Sequence, residues 1–263
     1  MNGTLAAAGV PELGGVLDEV QGPGEHPLVF ATVSGAHLYG FPSRDSDVDL
    51  RGAHLLPTAD LVGLREPEET RTRMWERNGE ELDLVTHDLR KFVRLMLKRN
   101  GYVLEQLLSP LVAHSSPVHA ELAALAPGVL TRHHAHHYLG FSGTQWRLHE
   151  NSGELKPLLY AYRALLTGIH LMRGGEVCAH LPTLAEAVPE APARLPELIA
   201  AKAEAEHGAA AGLVDGETAR AEVAALRAVL EEARLTTSLP EQGGGHEELH
   251  DLLVRVRSEG VLG

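Results

Sequence analysis

The chain has 263 residues, 44% of them hydrophobic, with 23 Lys and Arg set against 36 Asp and Glu for a formal net charge of −13. Those values fit a globular protein of one large or two moderate domains, and no apolar run reaches the roughly eighteen residues that a membrane-spanning helix needs. The single Cys178 excludes an internal disulfide and a metal-thiolate framework, and the opening M-N-G-T-L-A-A-A-G-V-P lacks the basic region and apolar core of a secretory signal, so the expected location is the cytoplasm.

In chain order, the first informative stretch is S-G-A-H-L-Y-G-F-P-S-R-D-S-D-V-D-L-R-G, Ser34 to Gly52. A glycine turn is followed by Asp45 and Ser46, whose side chains suit a local turn, and then by a strand around Val48. On that strand Asp47 and Asp49 stand at i and i+2 and leave the same face, a cradle for a divalent cation. Arg51, two residues further, either pairs with these acids or faces solvent. T-R-M-W-E-R-N-G-E-E-L-D-L-V-T reads as a β-hairpin about Asn78-Gly79. Its second arm, Leu82 to Thr86, is apolar around Asp83, and a lone carboxylate there is costly to bury unless a cation meets it. Asp83 is therefore the natural third ligand. Three carboxylates suit Mg²⁺, which binds through few protein oxygens plus substrate phosphates, and two such ions support in-line phosphoryl or nucleotidyl transfer.

Asp88 is placed to cap a helix whose apolar positions are Leu89, Phe92, Val93, Met96 and Leu97, with Arg90, Lys91, Arg94 and Lys98 on its other faces. Asn100-Gly101 ends it, a short helix from Tyr102 to Leu108 carries Glu105, and Pro110 closes the first domain. Beyond Leu111 the composition turns to Ala, Leu and Glu, with helices expected near Val118 to Leu125, His133 to Glu150, Leu155 to Arg173, Leu195 to His207, Glu217 to Leu235 and His246 to Ser258. Gln242 and the three glycines after it form a flexible connector. The expected fold is α+β: a mixed sheet flanked by helices over residues 1–112, then an all-helical domain over 113–263.

Lys156, Tyr160 and Arg163 recur at i, i+4 and i+7 and share a helix face that suits a triphosphate and a stacked base, or serves as an ordinary amphipathic surface. His133 and His137 have the i, i+4 spacing of a metal pair without the acid of a metalloprotease helix, and read as surface histidines. His37, in the glycine turn, and His87, at the end of the Asp83 strand, could each touch phosphate, and neither is needed for the core chemistry. Residues 88–175 carry 10 basic against 5 acidic side chains, whereas the flanking thirds are each at −9, a pattern that either draws an anionic substrate to the segment after the acids or reflects a solvated helix face.

The ordered set G-A-H-L-Y-G, S-D-V-D-L-R-G and E-L-D-L-V-T-H-D-L-R-K-F-V-R-L-M-L-K-R-N, then L-E-Q-L-L, resembles the polymerase-beta superfamily of nucleotidyltransferases, and within it the branch associated with bacterial RNA-repair gene clusters. The likeness covers about residues 28–112, with a weaker echo at Lys156 to Arg163. It implies that Asp47, Asp49 and Asp83 hold two Mg²⁺ ions, or Mn²⁺ in their place, and that Ser34, Gly35, Ala36, His37 and Ser46 line the NTP with Lys156, Tyr160 and Arg163. The family's Gly-Ser is Gly35-Ala36 here, so the hydroxyl for a triphosphate oxygen must come from Ser34 or Ser43, or be absent. The implied reaction moves NMP from an NTP to a hydroxyl acceptor, foremost an RNA end such as that of tRNA, with release of pyrophosphate. A small molecule or a protein as acceptor, and a catalytically silent NTP-binding module, are the alternatives. The oligomeric state is not legible.

Overall fold

The computed structural model describes residues 2–204 and 212–259. They form an α+β protein with one mixed five-stranded sheet, in the order β3-β4-β2-β1-β5. Two short helices, α1 (Asn2–Ala7) and α2 (Gly14–Val20), lead into β1 (Leu28–Val33), all six residues of which are buried. α3 (Gly35–Tyr39) and a loop precede β2 (Val48–His54), and α4 (Thr58–Val62) precedes the hairpin of β3 (Thr70–Arg77) and β4 (Glu80–Asp88). The hairpin turn is the expected one: Asn78 and Gly79 have φ of 54° and 85°, the pair of positive values that a tight two-residue turn requires. β2 runs parallel to β4, and every other pairing is antiparallel.

α5 (Leu89–Leu97) starts where expected, because the Asp88 carboxylate accepts from the Arg90 amide at 2.9 Å. α6 (Gly101–Leu107) is capped in the same way by Asn100. The expected break after residue 112 falls inside β5 (Val112–Ser115), which pairs with the edge of β1. This strand escaped the sequence because it is only four residues long and carries no period.

The helices that follow are α7 (Pro117–Val129), α8 (His134–Ser152), α9 (Leu155–Gly174), α10 (Leu181–Ala187), α11 (Leu195–Glu204), α12 (Gly216–Thr236) and α13 (His246–Glu259). α10 was not expected. The continuation of α11 to His207 lies outside the described residues. Gly153 and Gly175, with φ of 70° and 72°, end α8 and α9 in left-handed caps.

The chain divides into two compact units that are not consecutive stretches. A sheet unit comprises Met1–Leu38, Asp47–Val129 and Gly243–Gly263, and a helical unit comprises Tyr39–Ser46 and Leu130–Gln242. α13 enters the sheet unit through charge. Arg257 donates through Nη2 to Oδ2 of Asp88, a fully buried carboxylate that also accepts from the Leu56 amide at 3.0 Å. No helix among the described residues is long and apolar enough to cross a membrane.

Candidate active site

In the sheet unit the parallel register of β2 and β4 places Asp49 directly beside Asp83. Strand alternation buries Val48 and Leu50 and turns Asp49 to the other face, as Leu82 and Leu84 do for Asp83. Asp47 is the residue just before β2 and is half-buried, like the other two acids. Two neighbouring carboxylates on one face repel each other unless a cation intervenes, and here that cation is Arg51. Its Nη2 donates to Oδ1 of Asp49 and, at 2.7 Å, to Oδ2 of Asp83. Nη1 donates to the carbonyls of Asp83 at 2.6 Å and Leu50 at 3.0 Å, and Nε donates to the Tyr102 hydroxyl at 3.2 Å. Burial disfavours the Arg51 charge, but Tyr102 and Asp49 outweigh it and hold the guanidinium above its ordinary pKa. Arg51 is thus paired with the acids, one of the two readings that the sequence allowed. The sequence marks Tyr102 only as the start of a helix, and its hydroxyl is a further partner of Arg51.

The glycine turn meets the same acids. The Ser34 amide donates to the Asp49 carbonyl at 2.8 Å, and Gly35 has φ of +61°. A Cβ at Gly35 would stand 1.8 Å from Oδ2 of Asp49, so only glycine allows the backbone to lie against this carboxylate. Ser34 Oγ is fully buried and has no hydrogen-bond partner among the described residues. The two hydroxyls offered by the sequence are thereby separated, because Ser43 Oγ lies 3.0 Å from Ser46 Oγ and accepts from Lys202 Nζ at 3.1 Å. His37 is buried, and its Nδ1 donates to the Ala8 carbonyl at 3.0 Å. Burial, and then the charges of Lys91 and Arg51, lower the pKa of His87, whose Nδ1 bonds Thr70 Oγ1 at 3.0 Å.

Within the helical unit, α9 carries Lys156, Tyr160 and Arg163 at the expected spacing, the first two half-buried and the third buried. Tyr160 packs edge-on against Tyr39 and Phe41 at 5.4 and 5.5 Å, and the Arg163 guanidinium lies 3.9 Å over the Tyr39 ring. These residues therefore clamp the start of the Tyr39–Ser46 segment, which belongs to the same unit. Ser46, also in that segment, accepts from the Ser43 amide at 2.9 Å, and Lys202 is fully buried beneath it. Neither Tyr39 and Phe41 nor Lys202 was singled out from sequence. The aromatic doublet beside the turn was the available signal.

Among the described residues no group of three or more His, Cys, Asp and Glu is arranged to hold a metal ion. The donor chemistry of Asp49 and Asp83 nevertheless suits a hard divalent cation, since two carboxylates meet here and the one guanidinium between them takes one oxygen from each.

A model of the RNA repair pathway DNA polymerase beta family, RlaP, matches residues 13–255. The uncharacterized protein MJ0002 of Methanocaldococcus jannaschii is 34% identical over 154 residues, 56% of this chain and 61% of that protein. The uncharacterized protein YcgL of Bacillus subtilis is 34% identical over 94 residues, 36% of this chain and 35% of its own length. The chain thus spans less than two thirds of either relative.

Proposed function

The chain belongs to the RNA repair pathway DNA polymerase beta family, and on that premise we propose that it transfers a nucleoside monophosphate from an NTP to a hydroxyl of an RNA end. The acceptor oxygen bonds to the α-phosphorus as the bond to the bridging oxygen breaks, and pyrophosphate leaves in line. Asp47, Asp49 and Asp83 would hold two Mg²⁺ ions, or Mn²⁺, which when bound supply charge stabilisation for the entering and leaving oxygens. Asp83 accepts the proton of the attacking hydroxyl. Within the sheet unit the turn Ser34-Gly35-Ala36 receives the triphosphate, with Ser34 as its hydroxyl donor and His37 following in the same turn. The observation that carries this reading is the pairing of Asp49 beside Asp83 with Gly35 lying against Asp49.

RNA is favoured as acceptor by the basic middle third of the chain. Contacts to several RNA phosphates make transfer fall steeply as salt rises, whereas a small acceptor makes it nearly indifferent. A second reading, an NTP-binding module without transfer, is favoured by one observation, Ala36 in place of the family's serine.

The test is incubation with each α-³²P-labelled NTP, Mg²⁺ or Mn²⁺ and total RNA, beside the Asp47→Asn/Asp49→Asn variant. Label on RNA that falls by about a thousandfold in the variant, the loss of roughly 4 kcal/mol of transition-state stabilisation, is expected. Binding of NTP without label on any acceptor would select the second reading. Full transfer by the variant would remove the acids from the mechanism.

A further inference from the structure

Arg51 uses all five of its N–H donors, and it uses them on the acid pair and the strands that carry it. Nη2 reaches both carboxylates, Nη1 reaches the Leu50 and Asp83 carbonyls, and Nε reaches Tyr102. Its side chain is 10% exposed, against 17% for that of Asp49 and 20% for that of Asp83. A surface ion pair trades such bonds with water, but a saturated guanidinium between two registered strands is a fixed part of the site. It occupies the space where the two carboxylates converge and balances one of their two negative charges.

We propose that Arg51 is the resident counter-cation of Asp49 and Asp83, a positioning residue that keeps the divalent affinity of the acid set low until a triphosphate brings further oxygen ligands and charge. The proposal rests on the reading of Asp47, Asp49 and Asp83 as the metal-holding set. Its physical basis is direct. A unit positive charge in contact with both carboxylates repels an incoming dication, and each oxygen bound to Nη2 has a lone pair turned to Arg51 that a metal would have to compete for. An NTP then contributes charge and oxygens that the protein withholds, so metal and nucleotide bind together and the empty site does not sequester metal. A purely pre-organising arginine acts in the opposite direction, since its loss would loosen the carboxylates and weaken metal binding.

The experiment is a titration of the full chain with Mn²⁺ alone, read by electron paramagnetic resonance of the free ion, for wild type, Arg51→Met, Arg51→Lys and Arg51→Met/Asp83→Asn. The expected result is an affinity at least about tenfold tighter for Arg51→Met than for wild type, no gain for Arg51→Lys, which keeps the charge, and loss of the gain in the double variant. Near-UV circular dichroism checks the fold. If Arg51→Met does not fold, Arg51→Gln, neutral but still a hydrogen-bond donor, carries the same expectation. Equal or weaker Mn²⁺ binding by the folded neutral variant overturns the proposal. Failure of the functional reading is separate: tighter Mn²⁺ binding without label transfer by wild type would leave the proposal standing, and label transfer without the gain would remove the proposal alone.

Discussion

The backbone of Gly35 lies so close to Asp49 that a Cβ there would stand 1.8 Å from Oδ2 of its carboxylate. Gly35→Ala therefore meets two penalties, a left-handed φ that costs alanine about 1 to 2 kcal/mol and displacement of Asp49 from Arg51 and Asp83. The expected outcome is a drop in nucleotidyl transfer of about tenfold or more together with a lower melting temperature. Gly79→Ala is the control. Gly79 also has positive φ, but the space around its Cβ position is open, so it loses about 1 kcal/mol of stability and keeps full transfer.

Breaking the contact between Arg257 and Asp88 tests how the last helix is held. Asp88 is fully buried, and it joins α13 to the start of α5 across a sequence separation of 169 residues. Arg257→Met leaves that carboxylate without its charged partner, a change that typically costs about 3 to 5 kcal/mol. Urea denaturation followed by circular dichroism should register a loss of that order. A change below about 1 kcal/mol would mean that Asp88 is satisfied by the Leu56 and Arg90 amides alone.

The acid pair and its hairpin were legible because strand alternation and the Asn78-Gly79 turn are local rules, and the register then follows from pairing. Asp83 could be assigned from a single chemical argument, that a carboxylate in an apolar strand must meet a cation, although the cation that it meets here is Arg51. What stayed hidden depends on contacts between distant segments. β5 is too short to have a period, α13 is held by an ion pair with Asp88, and Tyr39 with Phe41 are clamped by Tyr160 and Arg163 more than a hundred positions later. A helix face of Lys, Tyr and Arg looks the same in sequence whether its arginine is solvated or, like Arg163, buried against an aromatic ring.

His54 makes stability depend on pH in a defined direction. Burial, followed by the neighbouring charges of His26, Arg71 and His87 and opposed by Asp88, lowers its pKa to about 4, and its Nδ1 lies 2.9 Å from Thr86 Oγ1. The unfolded chain binds a proton near pH 6.5 and the folded chain only near 4, so between these values the unfolded state holds more protons and stability falls as pH falls. The expected slope is roughly 1.4 kcal/mol per pH unit for this group, with no contribution above about pH 7. His137, in the helical unit, is lowered to about 4 by burial and then by Arg163, and adds in the same window. His54→Gln should flatten the pH dependence of the melting temperature between pH 4 and 6.5 relative to wild type. An unchanged profile would show that His54 takes up its proton without unfolding.

The two serines near the glycine turn should respond oppositely to the same substitution. Ser34 Oγ is buried with no hydrogen-bond partner among the described residues, whereas Ser43 Oγ is engaged by Ser46 and Lys202. A hydroxyl without an internal bond has nothing to lose on truncation and one bond to give to an arriving phosphate oxygen, and a bond to a charged group is worth about 1.5 to 3 kcal/mol. Ser34→Ala is therefore expected to weaken NTP binding by about tenfold or more while leaving the melting temperature nearly unchanged. Ser43→Ala should lower the melting temperature, because a fully buried ammonium loses one of its acceptors, and should change NTP affinity little. Isothermal titration with NTP and Mg²⁺, run beside thermal denaturation of both variants, measures the two effects separately. The reverse assignment, a stability loss at Ser34 and an affinity loss at Ser43, would move the phosphate-binding hydroxyl to the clamped segment held by Lys202.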